Sequence, residues 1–412
     1  MSLIALQHCH VFDGSSTEIL EDATVIIEDN RIREVGDSGT APQLAKRIDL
    51  KGAFLMPGLI DAHVHVCAAQ VNLSANDEVP PTMRALIACK SMEASLQRGF
   101  TSLRDAGGAD WVLAKASETG LIEGPRLFFS GSALSQTGGH GDMRAPQKYR
   151  GGCACAYVGG ISRLADGEDA VRLAAREELR QGATQIKIMA SGGASSPTDP
   201  IAMLQYTETE IRAAVEEARR WDTYVMAHAY TGDAIRRCVK NGVRSIEHGN
   251  LIDEDAAQAL ASANAYIVPT LVTYAALAEE GAALGYDRIS IDKIAQVREV
   301  GMRSIEICRD AGVNIGFGTD LLGSLQHWQS REFVIRGEVL SPIEILRSAT
   351  SMNAALLQRR GELGCVAPGA LADLIVVKGD PTRDIGILAR PEENLLAVIK
   401  DGRFYKDHIT NA

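Results

Sequence analysis

The sequence predicts an α/β protein: a (β/α)8 TIM-type barrel over residues 58–363, with a small β-sandwich domain formed by both termini, residues 1–57 and 364–412. Three observations carry that expectation. Between the flanks, eight short apolar runs alternate with longer amphipathic segments, which is the pattern of parallel strands joined by crossover helices. Both flanks read as β segments. The length, 412 residues, is more than one compact domain of usual size needs, and suits a large barrel with a smaller companion.

The elements follow in order. Leu3 to Val11, Ala23 to Ile27 and Ile32 to Val35 are β-rich runs, with Glu28-Asp29-Asn30-Arg31 as a tight turn between the last two. Arg47 to Leu50 adds another run, and Pro57-Gly58 punctuates the chain. The barrel strands are expected over Leu59–Val66, Thr101–Asp105, Arg126–Gly131, Thr184–Ala190, Thr223–Ala229, Val243–His248, Ala265–Leu271 and Val313–Thr319. Helical patterns lie between them, as in Thr82–Arg98, Gly167–Gln181, Thr207–Trp221 and Asp292–Ala311. A doubly wound open sheet is the competing architecture, but it wants a Gly-rich phosphate turn after its first strand, and His63-Val64-His65 stands there instead. In the C-terminal flank, Leu374–Val377 and Leu395–Lys400 read as strands, and Asp401-Gly402 as a hairpin turn before Arg403–Lys406.

Composition narrows the function. A formal net charge of −11 disfavours nucleic acid and anionic membrane surfaces, whose phosphates need a basic face. No apolar run reaches the length of a membrane span, and no basic-then-apolar leader opens the chain. Eight cysteines are too dilute for a disulfide scaffold, the tightest pair being Cys153 and Cys155, so reduced thiols and a cytoplasmic protein are expected.

Barrel active sites lie at the C-terminal ends of the strands. His63 and His65 share one face of the first strand, because side chains alternate along a strand. Lys187 lies within the fourth strand, His228 and His248 end the fifth and sixth, and Asp320 follows the eighth. An isolated H-x-H pair is usually bland, but six such residues on five strand ends point to a metal site. Imidazoles and a carboxylate suit a divalent ion such as Zn2+. A buried lysine loses its proton readily, and a neutral amine can add CO2 to give a carbamate able to bridge two metals. An ion pair with Glu247 or Asp320 is the other use of Lys187.

His63-x-His65, Lys187, His228, His248 and Asp320 in this order resemble the amidohydrolase superfamily in its binuclear-metal branch. Pro57-Gly58-Leu59-Ile60-Asp61-x-His63-x-His65 and Ala367-Pro368-Gly369-x-x-Ala372-Asp373-Leu374 also look like that family. The resemblance covers essentially the whole chain. It implies two divalent metal ions, expected to be Zn2+. His63, His65 and Asp320 would bind the more buried ion, His228 and His248 the more exposed one, and carboxylated Lys187 would bridge them. The implied reaction is amide hydrolysis by a metal-bridging hydroxide, with Asp320 as general base and then acid.

Within the superfamily the chain looks most like the imidazolonepropionase-related group and its prolidase-like members. Lys187, the segment Thr137-Gly138-Gly139-His140-Gly141-Asp142 and the run Lys187 to Gly193 fit that subgroup. The expected substrate is a small molecule, an Xaa-Pro-type dipeptide or an N-acyl amino acid, and the expected assembly is a homo-oligomer. His140 is a candidate to hydrogen-bond the substrate carbonyl or oxyanion, the alternative being a solvated loop histidine. Tyr230, two residues past His228, is a candidate substrate contact, the alternative being rim packing. Arg144, Arg150, Ser191, Ser195 and Ser196 are candidates for the substrate carboxylate. Residues 132–165 are long for a strand-to-helix loop and suggest a lid. His8 and His10 repeat the H-x-H spacing but have no partner ligands in the pattern, and Cys67 reads as a loop residue behind the site. Two other readings remain: a cyclic-amide hydrolase sharing the same ligands, and a metal-free scaffold, which the filled ligand positions disfavour.

Overall fold

Strands from the two ends of the chain pair with one another. The computed structural model describes residues 2–37, 42–76, 78–144, 160–196, 199–286 and 288–409; Arg150, Cys153, Cys155 and the middle of the expected lid lie outside them. The N-terminal flank gives β1 (Leu3–Val11), β2 (Leu20–Glu28), β3 (Arg31–Asp37), β4 (Lys46–Asp49) and β5 (Phe54–Pro57). The central region gives β6 (Leu59–Val64), β7 (Phe100–Asp105), β8 (Arg126–Phe129), β9 (Ala133–Ser135), β10 (Ser162–Leu164), β11 (Ile186–Met189), β12 (Val225–Thr231), β13 (Ser245–Leu251), β14 (Tyr266–Val268) and β15 (Asn314–Ile315). The C-terminal flank gives β16 (Leu374–Val377), β17 (Leu395–Lys400) and β18 (Arg403–Asp407).

The flank strands form one mixed ladder in the order β18-β17-β16-β5-β1-β2-β3, with β4 also on β1. Where two facing ladders are expected there is one bent ladder. β1 pairs with β4 along Ile4–Gln7 and with β5 at His10 and Val11. Between these halves His8 has φ 55°, and the β1–β2 register shifts between Leu6 and Cys9, a bulge that bends the strand. Side chains then alternate between two cores. Leu55, Leu374 and Val376 meet Leu6, Val25 and Ile27 inside the flank domain. Phe54, Met56, Ile375 and Val377 turn the other way, onto Leu59, Leu96, Phe100 and Phe317 of the central region. The expected hairpin turn at Asp401-Gly402 forms with φ 50° and 71°. A Cβ on Gly402 would lie 2.0 Å from the Asp29 carbonyl oxygen, so the β17–β18 turn packs directly on the β2–β3 turn.

The central region is α/β with parallel strands. They stand in two sheets, β6-β7-β8 and β10-β9-β11-β12-β13-β14-β15. Backbone hydrogen bonds span both gaps. Thr184 N donates to Phe129 O at 2.8 Å on one side; on the other, Ala62 N donates to Phe317 O and Asp320 N to His63 O, each at 2.8 Å. Two expectations change. The eighth strand shrinks to Asn314–Ile315, because the chain leaves the ladder to bring Thr319 N and Asp320 N onto the His63 carbonyl. The expected 132–165 loop carries β9 and β10, paired in parallel. Helices Pro81–Gln97, Glu168–Arg180, Glu208–Arg220 and Arg288–Asp310 fall on the predicted amphipathic segments, the third started by a capping box between Thr207 and Glu210. Among the described residues no helix is long and apolar enough to cross a membrane.

Candidate metal centre and substrate site

Asp320 gathers the predicted donors. One ligand atom each from His63, His65 and Asp320 lies within 4.8 Å of the others, the separation a single ion could span. Asp320 Oδ1 is 3.4 Å from Nε2 of both His63 and His65, and Oδ2 is 3.9 Å from His248 Nδ1. The His248 ring lies 5.0 Å from that of His63 and 4.6 Å from that of His228. Lys187, fully buried within β11, takes its charge environment from Glu247, Asp320, Arg104 and Asp105. The six predicted residues therefore converge.

Two of them reach the cluster through strained backbone. In the β12–β13 register His228 pairs with Glu247 and Ala229 with His248. Regular alternation would aim Glu247 inward beside His228 and turn His248 away. His248 instead has φ 71°, and its ring turns in as well; Asp320 has φ 53°. Left-handed backbone at a bulky residue costs about 1–3 kcal/mol and collects at functional sites.

The histidines are also held from behind. His63 Nδ1 is 2.6 Å from Glu247 Oε2, His65 Nδ1 is 2.9 Å from Gly107 O, and His248 Nδ1 is 2.8 Å from Thr270 Oγ1. Nε2 of each is left for another partner, the usual arrangement behind metal-ligating imidazoles. His228 is held the other way, with Nε2 3.1 Å from Gly192 O. His63 Nε2 is buried and makes no hydrogen bond, an orphaned atom that a metal ion would satisfy. Imidazole nitrogens with one carboxylate fit a borderline divalent cation.

Electrostatics agree with that use at His228 and His248, whereas at His65 burial lowers the pKa but Asp320 outweighs it and raises it. Burial, joined by His140 and His248 at His228 and by His63 and Lys187 at His248, outweighs the raising pull of Asp320 on His248 and holds both histidines well below the ordinary range, in the neutral form that binds metal. Burial pulls Lys187 down to about 8 against the raising influence of Glu247 and Asp320. Burial opposes ionisation of Asp320, but His63, His65 and His248 outweigh it and keep the carboxyl well below its usual range. Glu247 is engaged by His63 and by Arg104, at 2.9 Å, rather than by Lys187.

His140 and Tyr230 flank the donors. The His140 ring stacks on His228 at 4.3 Å, and its Nδ1 is 3.1 Å from Asp199 Oδ2. A Cβ on Gly193 would come within 1.9 Å of His140 Cε1, so only glycine admits the ring there. The loop is tied down by Lys293, whose Nζ donates to Ser196 O and Asp199 O at 2.6 Å each. Tyr230 stacks on His248 at 5.2 Å. Among the carboxylate candidates, Arg144 already grips Asp142 through two bonds of 2.7 and 2.6 Å. Ser191 Oγ donates to Gly192 O and accepts from Tyr230 N; Ser196 bonds Asp199, and Ser195 is half-buried. His8 pairs with Asp22 on the flank domain, and burial pushes the Cys67 thiol well up.

Sequence reasoning missed the supporting residues. Glu247 stood next to His248 and drew notice only as a partner for Lys187. Arg104, Asp199, Thr270 and Tyr274 carried no local signal.

Strained strand-end donors with tied imidazoles, on parallel strands beside a flank β domain, define a metal-dependent hydrolase. Residues 54–404 match the amidohydrolase family and residues 3–55 the NagA composite domain, so the chain belongs to the amidohydrolase family and is a hydrolase of amide carbon–nitrogen bonds. It is 30% identical to ochratoxinase of Aspergillus niger over 94% of this chain and 84% of that one. Imidazolonepropionase of Salinispora tropica is a more distant relative, at 23% identity over 87% of this chain and 86% of its own. Among solved structures, a prolidase complexed with N-methylphosphonate-L-proline shares 51% identity over 98% of this chain and 100% of its own, with a TM-score of 0.96. A Xaa-Pro dipeptidase with methionine in its active site shares 29% over 98% of this chain and 100% of its own, with a TM-score of 0.88.

Proposed function

We propose that the protein is a binuclear-metal dipeptidase of the prolidase kind, cleaving Xaa-Pro-type dipeptides or N-acyl amino acids. The observation that carries this reading is the full-length likeness, at 51% identity, to a prolidase crystallised with a proline phosphonate. The two parallel sheets are read as arcs of one eight-fold barrel, on the strength of the backbone bonds that bridge both gaps.

His63, His65 and Asp320 would hold one ion, His228 and His248 a second, and carboxylated Lys187 would join them, with Zn2+ the ion that best suits the donors. Such ions supply Lewis acidity and lower the pKa of a water. The chain's own residues do the rest. Asp320, ionised beside three imidazoles, takes the proton of the attacking water and returns it to the leaving nitrogen. His140, braced by Asp199, and Tyr230, stacked on His248, hydrogen-bond the carbonyl oxygen as it gains charge. Lys187, brought to about 8 by burial, is partly neutral at mildly alkaline pH, the form that adds CO2.

A dipeptide library presented to metal-loaded protein tests the reading. Turnover of Xaa-Pro dipeptides, with no turnover of hydantoins, dihydropyrimidines or lactams, supports it. Turnover of cyclic amides alone overturns it.

A further inference from the structure

A chain of buried hydroxyls runs from one candidate donor histidine, His248, to Tyr230, whose ring stacks on that same histidine. His248 Nδ1 is 2.8 Å from Thr270 Oγ1. The Thr270 hydroxyl also lies next to that of Tyr274 and eases its ionisation, and the Tyr274 hydroxyl is 2.7 Å from that of Tyr230. All four residues are buried, so water does not compete along the chain. Thr270 occupies the N-cap of helix Leu271–Glu280, a position where threonine normally bonds a backbone amide, yet its side chain makes no cap bond. It is used for the site instead.

The chain has a direction. A histidine that offers Nε2 to a metal carries its proton on Nδ1. That proton is donated to Thr270 Oγ1, so the threonine accepts there and passes its own hydroxyl proton to Tyr274. Tyr274 in turn donates to the Tyr230 oxygen. The backbone N–H of Ala194 donates to the same oxygen. A phenol oxygen that accepts from two donors still has its own proton to give. Tyr230 is thereby left as a donor with no acceptor inside the relay.

We infer that Thr270 and Tyr274 are positioning residues: Thr270 takes the His248 Nδ1 proton in a hydrogen bond and so leaves Nε2 unprotonated for a metal ion, and Tyr274 holds the Tyr230 hydroxyl as a hydrogen-bond donor for the substrate carbonyl oxygen. The second half rests on the dipeptidase reading above; the first needs only the metal site.

The experiment has two arms. In the first, Zn2+ affinity is measured by chelator competition on the full chain. Thr270→Val is expected to weaken binding about ten-fold, the lower end of the effect of removing a residue behind a metal ligand, while Thr270→Ser, which keeps the hydroxyl, stays within about two-fold of wild type. Equal affinity for Val, Ser and wild type overturns the His248 assignment. In the second arm, Tyr274→Phe keeps the ring and removes the hydroxyl. It is expected to lower kcat about ten-fold, as loss of one hydrogen-bond partner does, with KM and metal content held. Tyr230→Phe combined with Tyr274→Phe should be no slower than Tyr230→Phe alone, whereas losses that multiply overturn the relay. If the wild-type enzyme cleaves no Xaa-Pro dipeptide, the substrate reading fails and the Zn2+ arm still decides the role of Thr270. If Thr270→Val does not fold, Thr270→Ala, read by the same chelator competition, carries the His248 half.

Discussion

His63 Nδ1 lies 2.6 Å from Glu247 Oε2, with both side chains shut off from solvent. Arg104 closes the group, its Nη2 donating to both Glu247 oxygens at 2.9 and 3.0 Å. Burial works against the Glu247 charge, but Arg104 and His63 prevail and bring the carboxyl down to about 2. An ionised Glu247 accepts the His63 Nδ1 proton and leaves Nε2 for a metal.

Glu247→Gln should therefore weaken metal binding by about 10–100-fold, the usual consequence of losing the partner behind a ligating histidine. Chelator competition measures it, and unchanged affinity would sink the assignment. Glu247→Ala should in addition cost about 3–5 kcal/mol in urea unfolding, because Arg104 is left buried without its counter-charge.

Lys187→Ala is expected to remove bound metal and activity together. Short carboxylic acids such as acetate or propionate should restore part of both, since they can replace the two oxygens of a carbamate. Elemental analysis beside a turnover assay reads the result. Full metal content in Lys187→Ala would show that the lysine is not a ligand.

Gly193→Ala tests the His140 wall. The new Cβ would meet the imidazole at 1.9 Å, so the ring must move. A displacement of that order costs about 100-fold in kcat/KM when the group touches the reacting carbonyl. Metal content should be unchanged, because His140 is not among the metal donors. A kcat/KM within a few-fold of wild type would remove His140 from the reaction.

Asp199 makes stability depend on pH. Burial tends to raise its pKa, but the His140 bond outweighs this and lowers it to about 2, against about 3.9 in an unfolded chain. A carboxyl with a depressed folded pKa stabilises the fold above its unfolded value and loses that contribution as pH falls through the folded one. The stability of wild type relative to Asp199→Asn should thus be constant above about pH 5 and shrink between about pH 4 and 2. Urea midpoints measured across that range check it; a difference that does not vary with pH refutes the pairing.

How much of this was legible beforehand follows from the distances involved along the chain. The strand–helix alternation, the flank β segments and the candidate donors His63, His65, Lys187, His228, His248 and Asp320 could be read directly, because hydrophobic periodicity and strand-end position are local properties. The hairpin at Asp401-Gly402 was legible for the same reason. The irregular eighth strand was not, since nothing local says that the chain will leave the ladder to bond the His63 carbonyl.

Local pattern thus established the class of fold and nominated the candidate metal donors. The tertiary structure decided how those donors are aimed. Regular alternation would send His248 away from His228, and only its left-handed backbone brings it in. The groups that orient the imidazoles come from elsewhere in the chain: Glu247 is 184 residues from His63, Asp199 is 59 from His140 and Thr270 is 22 from His248. Such pairings depend on which strands become neighbours and how their ends twist, and folding alone sets both.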